Sequence, residues 1–363
     1  MRHRLGTVGD LAEVVMGQSP PSSLTNKEGR GLPLLNGPTE FGLFHPSPVQ
    51  WTTQAAKEAR AGDVLFCVRG STTGRMNRAD ELCAIGRGIA AVRGATTSDS
   101  RFVEYALRNS MAELLAGVTG STFPNISRSQ LSSHPIPIPK ESDRWAIAEV
   151  LGALDDKIAA NSRLTGTSQS LAKAEWERAN NHTVEYLRLR DVATLNYGKS
   201  LPAKRRVAGD VQVVGSGGVT GTHDQALVAE AGIVVGRKGT AGAVHWIHGP
   251  HFPIDTTFFV TPTGGLTSHF LYYELTSMRL TEMNSDSAVP GLNREEAYAA
   301  PVRHPDQSSM RRFNEVVPVL FDQFAQIEAE SRSLATTRDA LLPLLMSGKV
   351  TVQDAEAMVG EVV

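Results

Sequence analysis

The sequence predicts a duplicated α+β fold: two mixed α/β-type domains in tandem, each followed by a long helix, with the two helices packed on each other. This rests on an ordered internal repeat of domain length, on short β-type runs broken by turn residues in each copy, and on apolar residues at alternating steps of three and four after each copy. At 363 residues the chain is long enough for two domains with separate cores.

The repeat comes first, because it sets the frame for everything else. Asp10, Ala12, Gly17, Ser19 and Pro21 fall on Asp191, Ala193, Gly198, Ser200 and Pro202. Ala61, Gly62, Val64 and Leu65 fall on Ala231, Gly232, Val234 and Val235. Arg69, Thr72 and Gly74 fall on Arg237, Thr240 and Gly242, and Phe102, Tyr105 and Leu107 on Phe270, Tyr273 and Leu275. Ser121, Pro124 and Arg128 then meet Ser287, Pro290 and Arg294, followed by Pro135 and Pro139 on Pro301 and Pro305, and Glu149 and Val150 on Glu315 and Val316. Turn-rich sequence aligns with almost anything once; blocks kept in order indicate duplication. The period is far too long for a solenoid unit.

Each copy opens with a mixed stretch, residues 1–140 or 183–306. Runs such as 64–68, 89–92, 233–235 and 257–260 read as strands between Gly, Pro, Ser and Thr turns. One short amphipathic helix is expected near 101–115 and near 268–283. The run Pro135 to Pro139 forces an extended backbone and closes the first domain.

A long helix is expected over 141–182, capped by Ser142 or Asp143, with Ile147, Leu151, Leu154 and Ile158 on one face. The second helix and tail, 307–363, carry Val317, Leu320, Phe324, Ile327, Ser331, Leu334, Arg338, Leu341 and Leu345. That spacing is a coiled-coil seam, and its presence in both copies favours two helices packed on each other over helices packed only on their own domains. After Ile158 the first seam turns to Asn161, Thr165 and Ser168, with Gly166 inside, so weaker packing or a bend is expected there.

Composition removes several function classes. The net charge of −2 gives no bulk attraction to nucleic acid, so any such role must come from local basic clusters. Two cysteines, Cys67 and Cys83, cannot build a disulfide framework or a zinc site unaided. No signal peptide or membrane span is visible, and a cytoplasmic location with no membrane partner is expected. There is no Gly-x-x-x-x-Gly-Lys-Ser/Thr loop, and 215–221 lacks the Gly-x-Gly-x-x-Gly spacing. No Asn-Pro-Pro-Tyr or Asp-Pro-Pro-Tyr segment of the kind a DNA amino-methyltransferase needs is present. His245, His248 and His251 lie in a Gly/Pro-rich turn without a matching carboxylate pattern, so no metal is expected.

In this order the motifs resemble the DNA specificity (S) subunits of Type I restriction–modification systems, over essentially the whole chain. They are Gly17-Gln-Ser-Pro20, Gly62-Asp-Val-Leu-Phe66, Arg69-Gly-Ser-Thr-Thr-Gly-Arg75, Gly86-Arg-Gly-Ile-Ala90, residues 122–127, the proline run, residues 147–158 and the closing segment 341–348. The resemblance implies two target recognition domains separated by two long antiparallel coiled-coil spacer helices with pseudo-twofold duplication. It implies a chain that reads a bipartite double-stranded DNA target without catalysing anything. It also implies two modification (methyltransferase) subunits and, in the restricting complex, restriction (motor-nuclease) subunits as partners. No cofactor is expected here; S-adenosylmethionine and ATP belong to those partners. The second copy departs from the first at 237–242 and 288–293, so its DNA contacts need not mirror the first.

Affinity for DNA comes from Lys and Arg on phosphates, and discrimination from side chains on base edges. The candidates in the first domain are Lys27, Arg30, Arg69, Ser71, Thr72, Thr73, Arg75, Asn77 and Arg78. Those in the second are Lys199, Lys204, Arg205, Arg206, Arg237, Lys238 and Thr240. Asn125 and Arg128 are equally readable as turn residues. Two alternatives stay open: a non-catalytic adaptor scaffold, and a duplicated-domain enzyme with an unrecognised site.

Overall fold

A computed structural model describes residues 4–117, 124–283 and 291–360. The chain divides into two compact units, residues 1–162 with 329–363, and residues 163–328.

The first unit is built on the sheet of strands Ala12–Met16, Ile89–Gly94, Val64–Cys67 and Met76–Arg78, antiparallel in that spatial order. Its central strands are buried on both faces, which is why 64–68 reads as an unbroken apolar run. One face carries the helix Thr97–Asn109, started by the Thr96 hydroxyl accepting from Asp99 N. A second sheet, Thr25–Asn26, Trp51–Thr52, Leu32–Leu35, Cys83–Ile85 and Glu58–Ala59 in order, covers the other. The proline run becomes the edge strand Pro135–Ile138, paired with Arg4–Thr7; Ile136 and Ile138 point into the core while the prolines take positions a ladder tolerates at an edge.

The second unit repeats the plan. Its sheet runs Ala193–Tyr197, Thr257–Pro262, Gly232–Gly236 and Val244–Ile247 in the same antiparallel order, and Thr183–Arg188 pairs with Pro301–Pro305. The helix Ser268–Ser277 is capped by Thr267. Strand pairing corrects the sequence frame by one residue: Val64 faces Val92 as Ile233 faces Val260, so Ile233, not Val234, occupies the place of Val64.

The helices differ from expectation at their ends. The helix expected near 101–115 starts earlier and breaks at Ser110 into Thr97–Asn109 and Met111–Ala116, and the other is Ser268–Ser277 followed by a 3₁₀ turn, Leu280–Glu282. A further short helix per domain, Arg128–Ser133 and Arg294–Ala299, has too few residues to show a periodicity in the sequence.

The long helices are Glu141–Asn180 and Gln307–Ser347. Ser142 and Asp143 are not caps: Arg144 N already bonds Lys140 O, so both lie inside the first turn, where the carboxylate still favours the helix dipole. In the first unit Ile147, Leu151 and Leu154 share one core with Leu334, Leu341 and Leu345 and with Val64, Phe66 and Val92 of the sheet. The seam therefore serves helix–helix and helix–domain packing together. Asp155 pairs with Arg338, and Lys157 and Asn161 reach Glu330 at 3.2 and 2.6 Å, so numbers rise along one helix as they fall along its neighbour. The helix Val352–Gly360 returns to this core through Ala355.

In the second unit Val317 and Phe324 are buried with Phe313 and Phe321, which the seam did not include, while Leu320 and Ile327 are half-buried, as is Ile158 in the first unit. The polar stretch of the first helix is helical throughout, Gly166 included. Asn161 is not a weak point, because its buried amide donates to Glu330 and Ser331.

Candidate nucleic-acid interface

The loop after Val64–Cys67 closes on backbone bonds from Cys67 N to Arg75 O (2.8 Å) and Gly74 N to Cys67 O (2.9 Å). Gly70 and Gly74 sit at φ 83° and 91°, a region where a Cβ is strained, so glycine at both is a requirement of the turn. Thr73 donates its hydroxyl to Gly70 O and Pro124 O at 2.8 and 2.9 Å, and Thr72 lies against the Cys67 thiol. These two threonines brace the loop. Arg69, Ser71 and Arg75 remain exposed on it, and Arg69 is bridged to Asn125, with Ile126 N bonding Val68 O.

Arg78 is a correction. It forks onto Glu104 at 2.7 and 3.2 Å with its side chain only 14% exposed. Burial opposes the charge, but Glu104 outweighs it and holds the guanidinium above its ordinary pKa. A cation spent this way is not offered to a phosphate. Asn77 is likewise buried and donates to Gly42 O. Lys27 and Arg30 lie on a separate exposed turn, where Arg30 pairs with Glu28. Sequence reasoning missed Arg87, exposed on the turn whose Gly88 O accepts from Val68 N beside the loop. Its signal was an arginine between two glycines.

In the second unit the matching loop is one residue shorter. Gly239 and Gly242 take the left-handed φ values, and Lys238 bridges Gly291 as Arg69 bridges Asn125. Lys238, not Arg237, therefore stands in the place of Arg69. Lys199, Lys238 and Thr240 are exposed, and Lys199 N bonds Pro253 O just after Gly198. Arg237 donates to Asp255 O at 2.6 Å. Lys204 and Arg205 are exposed on a 3₁₀ turn, whereas Arg206 gives Nη1 to Thr220 O at 2.8 Å. Arg294, first residue of its helix, was named only as a match to Arg128, yet its guanidinium packs beside the same loop, over Tyr197. Of the divergent segments, 118–123 and 284–290 lie outside the described residues, so Thr122, Phe123 and residues 288–290 are not placed.

Two of the turn histidines are committed locally: His245 Nε2 contacts Ser216 O and His251 Nδ1 contacts Gly249 O. Among the described residues no group of three or more His, Cys, Asp or Glu side chains is placed to hold a metal ion, and no helix is long and apolar enough to cross a membrane.

Residues 5–165 match the family described as the Type I restriction modification DNA specificity domain. The putative Type I restriction enzyme MjaX specificity subunit of Methanocaldococcus jannaschii is 40% identical over 149 residues, which cover 40% of this chain. The matched stretch spans 34% of that relative's own length. The crystal structure of a Type I restriction–modification S subunit from M. genitalium has the same fold, with a TM-score of 0.72 and 21% identity over 95% of this chain and 96% of that one. The family match thus covers less than half of the chain, residues 5–165, while the fold over 95% of the chain is similar to that of the M. genitalium protein.

Proposed function

We propose that the chain is the DNA specificity subunit of a Type I restriction–modification complex, reading a bipartite target with one half-site per domain. The observation that carries this reading is the duplicated basic loop: two units of one topology each present exposed cations on the same glycine-cornered turn after the same sheet strand. Arg69 and Arg75 on the first loop and Lys238 on the second supply the charge, with Lys199 after the strand Ala193–Tyr197, and small residues around the loops allow close approach to a phosphate. Modification subunits, two per complex, would bind S-adenosylmethionine, and restriction subunits would use ATP. The chain itself would turn nothing over.

Mapping methylated adenines in the host with and without this gene tests the reading; a bipartite set of sites that vanishes with the gene is expected. Exchanging residues 1–140 for the first domain of another family member should change one half of that target only, and a change in both halves would end the modular reading. The purified chain with DNA and either S-adenosylmethionine or ATP should show no turnover.

A further inference from the structure

We propose that Tyr197, Arg237 and Arg294 form a clamp for the DNA sugar–phosphate backbone in the second unit; this rests on the DNA-reading function proposed above. Tyr197 ends the strand Ala193–Tyr197, and its ring is steadied by Phe258, with centroids 5.0 Å apart. It is nevertheless 51% exposed, and the first unit has Met16 at the same place in the sheet, across from Ala90 as Tyr197 is across from Phe258.

Two guanidinium groups rest on this one ring, Arg237 at 5.3 Å and Arg294 at 5.0 Å from its centroid. Arg237, with Nη2 on Asp255 O and Nε buried, offers a phosphate Nη1 as a single donor, whereas Arg294 can present the fork of a stacked guanidinium. Each arginine is also positioned by its surroundings. Arg237 Nη2 is fixed on Asp255 O, and Arg294 also lies 5.8 Å from the Tyr298 ring.

The charge is left largely uncompensated. Among the described residues Arg237 makes no ion pair, and Arg294 meets Glu295 only at 3.9 Å, a carboxylate that Arg190 already holds at 3.1 Å. Two like charges brought to one ring repel each other, and an anion bound by either relieves that repulsion. Lys238 and Thr240 on the adjoining loop are exposed. The arginines are stacked and tethered and do not reach out on free side chains, which favours a fixed backbone contact over a base-reading one. In the densest charge run of the sequence, 204–206, Arg206 is likewise tied to a backbone carbonyl, Thr220 O.

The test uses the full chain assembled with its modification subunits, and fluorescence anisotropy on two labelled duplexes, one with the methylated target and one scrambled, over a salt series. Arg294→Ala should weaken both duplexes by the same factor and lower the slope of log affinity against log salt by about one, and adding Arg237→Ala should lower it by about one more. Tyr197→Leu should weaken both duplexes with the slope kept, since it removes the platform and leaves the charges. Arg294→Lys should keep the slope and confirm that the fold tolerates a change there. Unchanged affinity and slope in the double variant overturn the clamp, and a loss confined to the target duplex overturns its assignment to the backbone. No binding of either duplex by the parent complex overturns the DNA reading itself, and the clamp with it.

Discussion

Where the sheet meets the long helices, the first unit holds charges and the second holds aromatic rings. Arg78 pairs with Val64 across the edge of one sheet as Trp246 pairs with Ile233 across the other. Arg78 forks onto Glu104 of the domain helix; Trp246 packs against Tyr272, centroids 5.9 Å apart. Asp155 of the long helix accepts from Tyr105 OH at 2.7 Å and from Arg108 and pairs with Arg338, while Phe321 lies 4.7 Å from Trp246 and 6.0 Å from Tyr273. A buried charge network and a packed apolar cluster of similar volume come out near each other in stability, so one backbone accommodates both. Shared topology thus requires no shared chemistry at this junction. What both units keep is the glycine-cornered turn after the sheet strand, one residue shorter in the second.

The comparison breaks first at Asp155. Asp155→Ala leaves Arg338 to Asp339 and Arg108 to Glu104, but strips the buried Tyr105 hydroxyl of its acceptor, and an unmade buried donor costs about 1–3 kcal/mol. Phe321→Ala opens a cavity among the rings and costs about 3–5 kcal/mol by a different route. Hydrogen exchange read separately over 97–109 and 268–277 should show the first substitution loosening only the first unit and the second only the second. A change below about 1 kcal/mol for Asp155→Ala would mean that the charges hold nothing together.

This junction also shows where sequence reading stopped. The repeat, the paired loops, the proline strand and most seam residues were legible because each rests on a local rule: glycine at positive φ, proline at an edge, apolar residues at helical steps. Arg78 was misread because its partner Glu104 lies 26 residues on, and no local pattern joins them. Phe321 was missed because its partners are rings on a strand and a helix of its own domain, off the two-helix seam. Arg294 gave no signal because its place depends on how its short helix packs. Arg237 was aligned with Arg69 because the repeat hides a one-residue shift that strand pairing and the bridges of Lys238 and Arg69 reveal.

The two matching turns at Gly17 and Gly198 give the next effect. A Cβ on Gly17 would meet Gly86 O at 2.2 Å, and one on Gly198 would meet Ile254 O at 2.1 Å. Both glycines use the space for bonds from their own N–H, to Ile89 O and Thr257 O. Gly17→Ala and Gly198→Ala should therefore each cost about 1–3 kcal/mol or more, as overpacked sites do. Chemical unfolding of both variants checks this; damage in only one would show that the shared motif has lost its meaning in the other unit.

Acid should distinguish the units more gently. His269 lies between Trp246 and Phe321 at 4.5 and 4.9 Å, and burial lowers its pKa to about 4, with Asp322 opposing and His248 adding to the shift. The unfolded chain, with an ordinary histidine, takes up the proton first as pH falls. Stability from this group is therefore level above about pH 6.5 and declines from there toward pH 4, by on the order of 1–2 kcal/mol once its partial exposure is allowed for. Thermal melting from pH 7.5 to 5 should show the second unit losing stability, and His269→Phe should flatten that slope. His134 in the first unit and His251 in the second shift in the same direction by burial, so both contribute to the residual slope of the variant.

The smallest effect tests whether the divergent segments after the loops are really equivalent. Ser127 starts the helix Arg128–Ser133 by accepting from Gln130 N, and its own N–H donates to Gln130 Oε1 at 2.9 Å. Asn293 starts Arg294–Ala299 by accepting from Glu295 N and Glu296 N at 3.0 and 3.4 Å. The residues differ, but each satisfies amide groups that the first turn leaves open, and serine and asparagine are nearly equal in that role. Ser127→Ala and Asn293→Ala should each cost about 1 kcal/mol, and the exchanges Ser127→Asn and Asn293→Ser only a few tenths. The cap of the second unit also fixes the first residue of its helix, Arg294. Asn293→Ala should therefore weaken DNA binding beyond its cost in stability, whereas Ser127→Ala, whose helix begins with Arg128, stacked on no ring among the described residues, should not. Anisotropy with the two alanine variants, compared at equal folded fraction, separates the outcomes; equal losses in both would show that the caps act through stability alone.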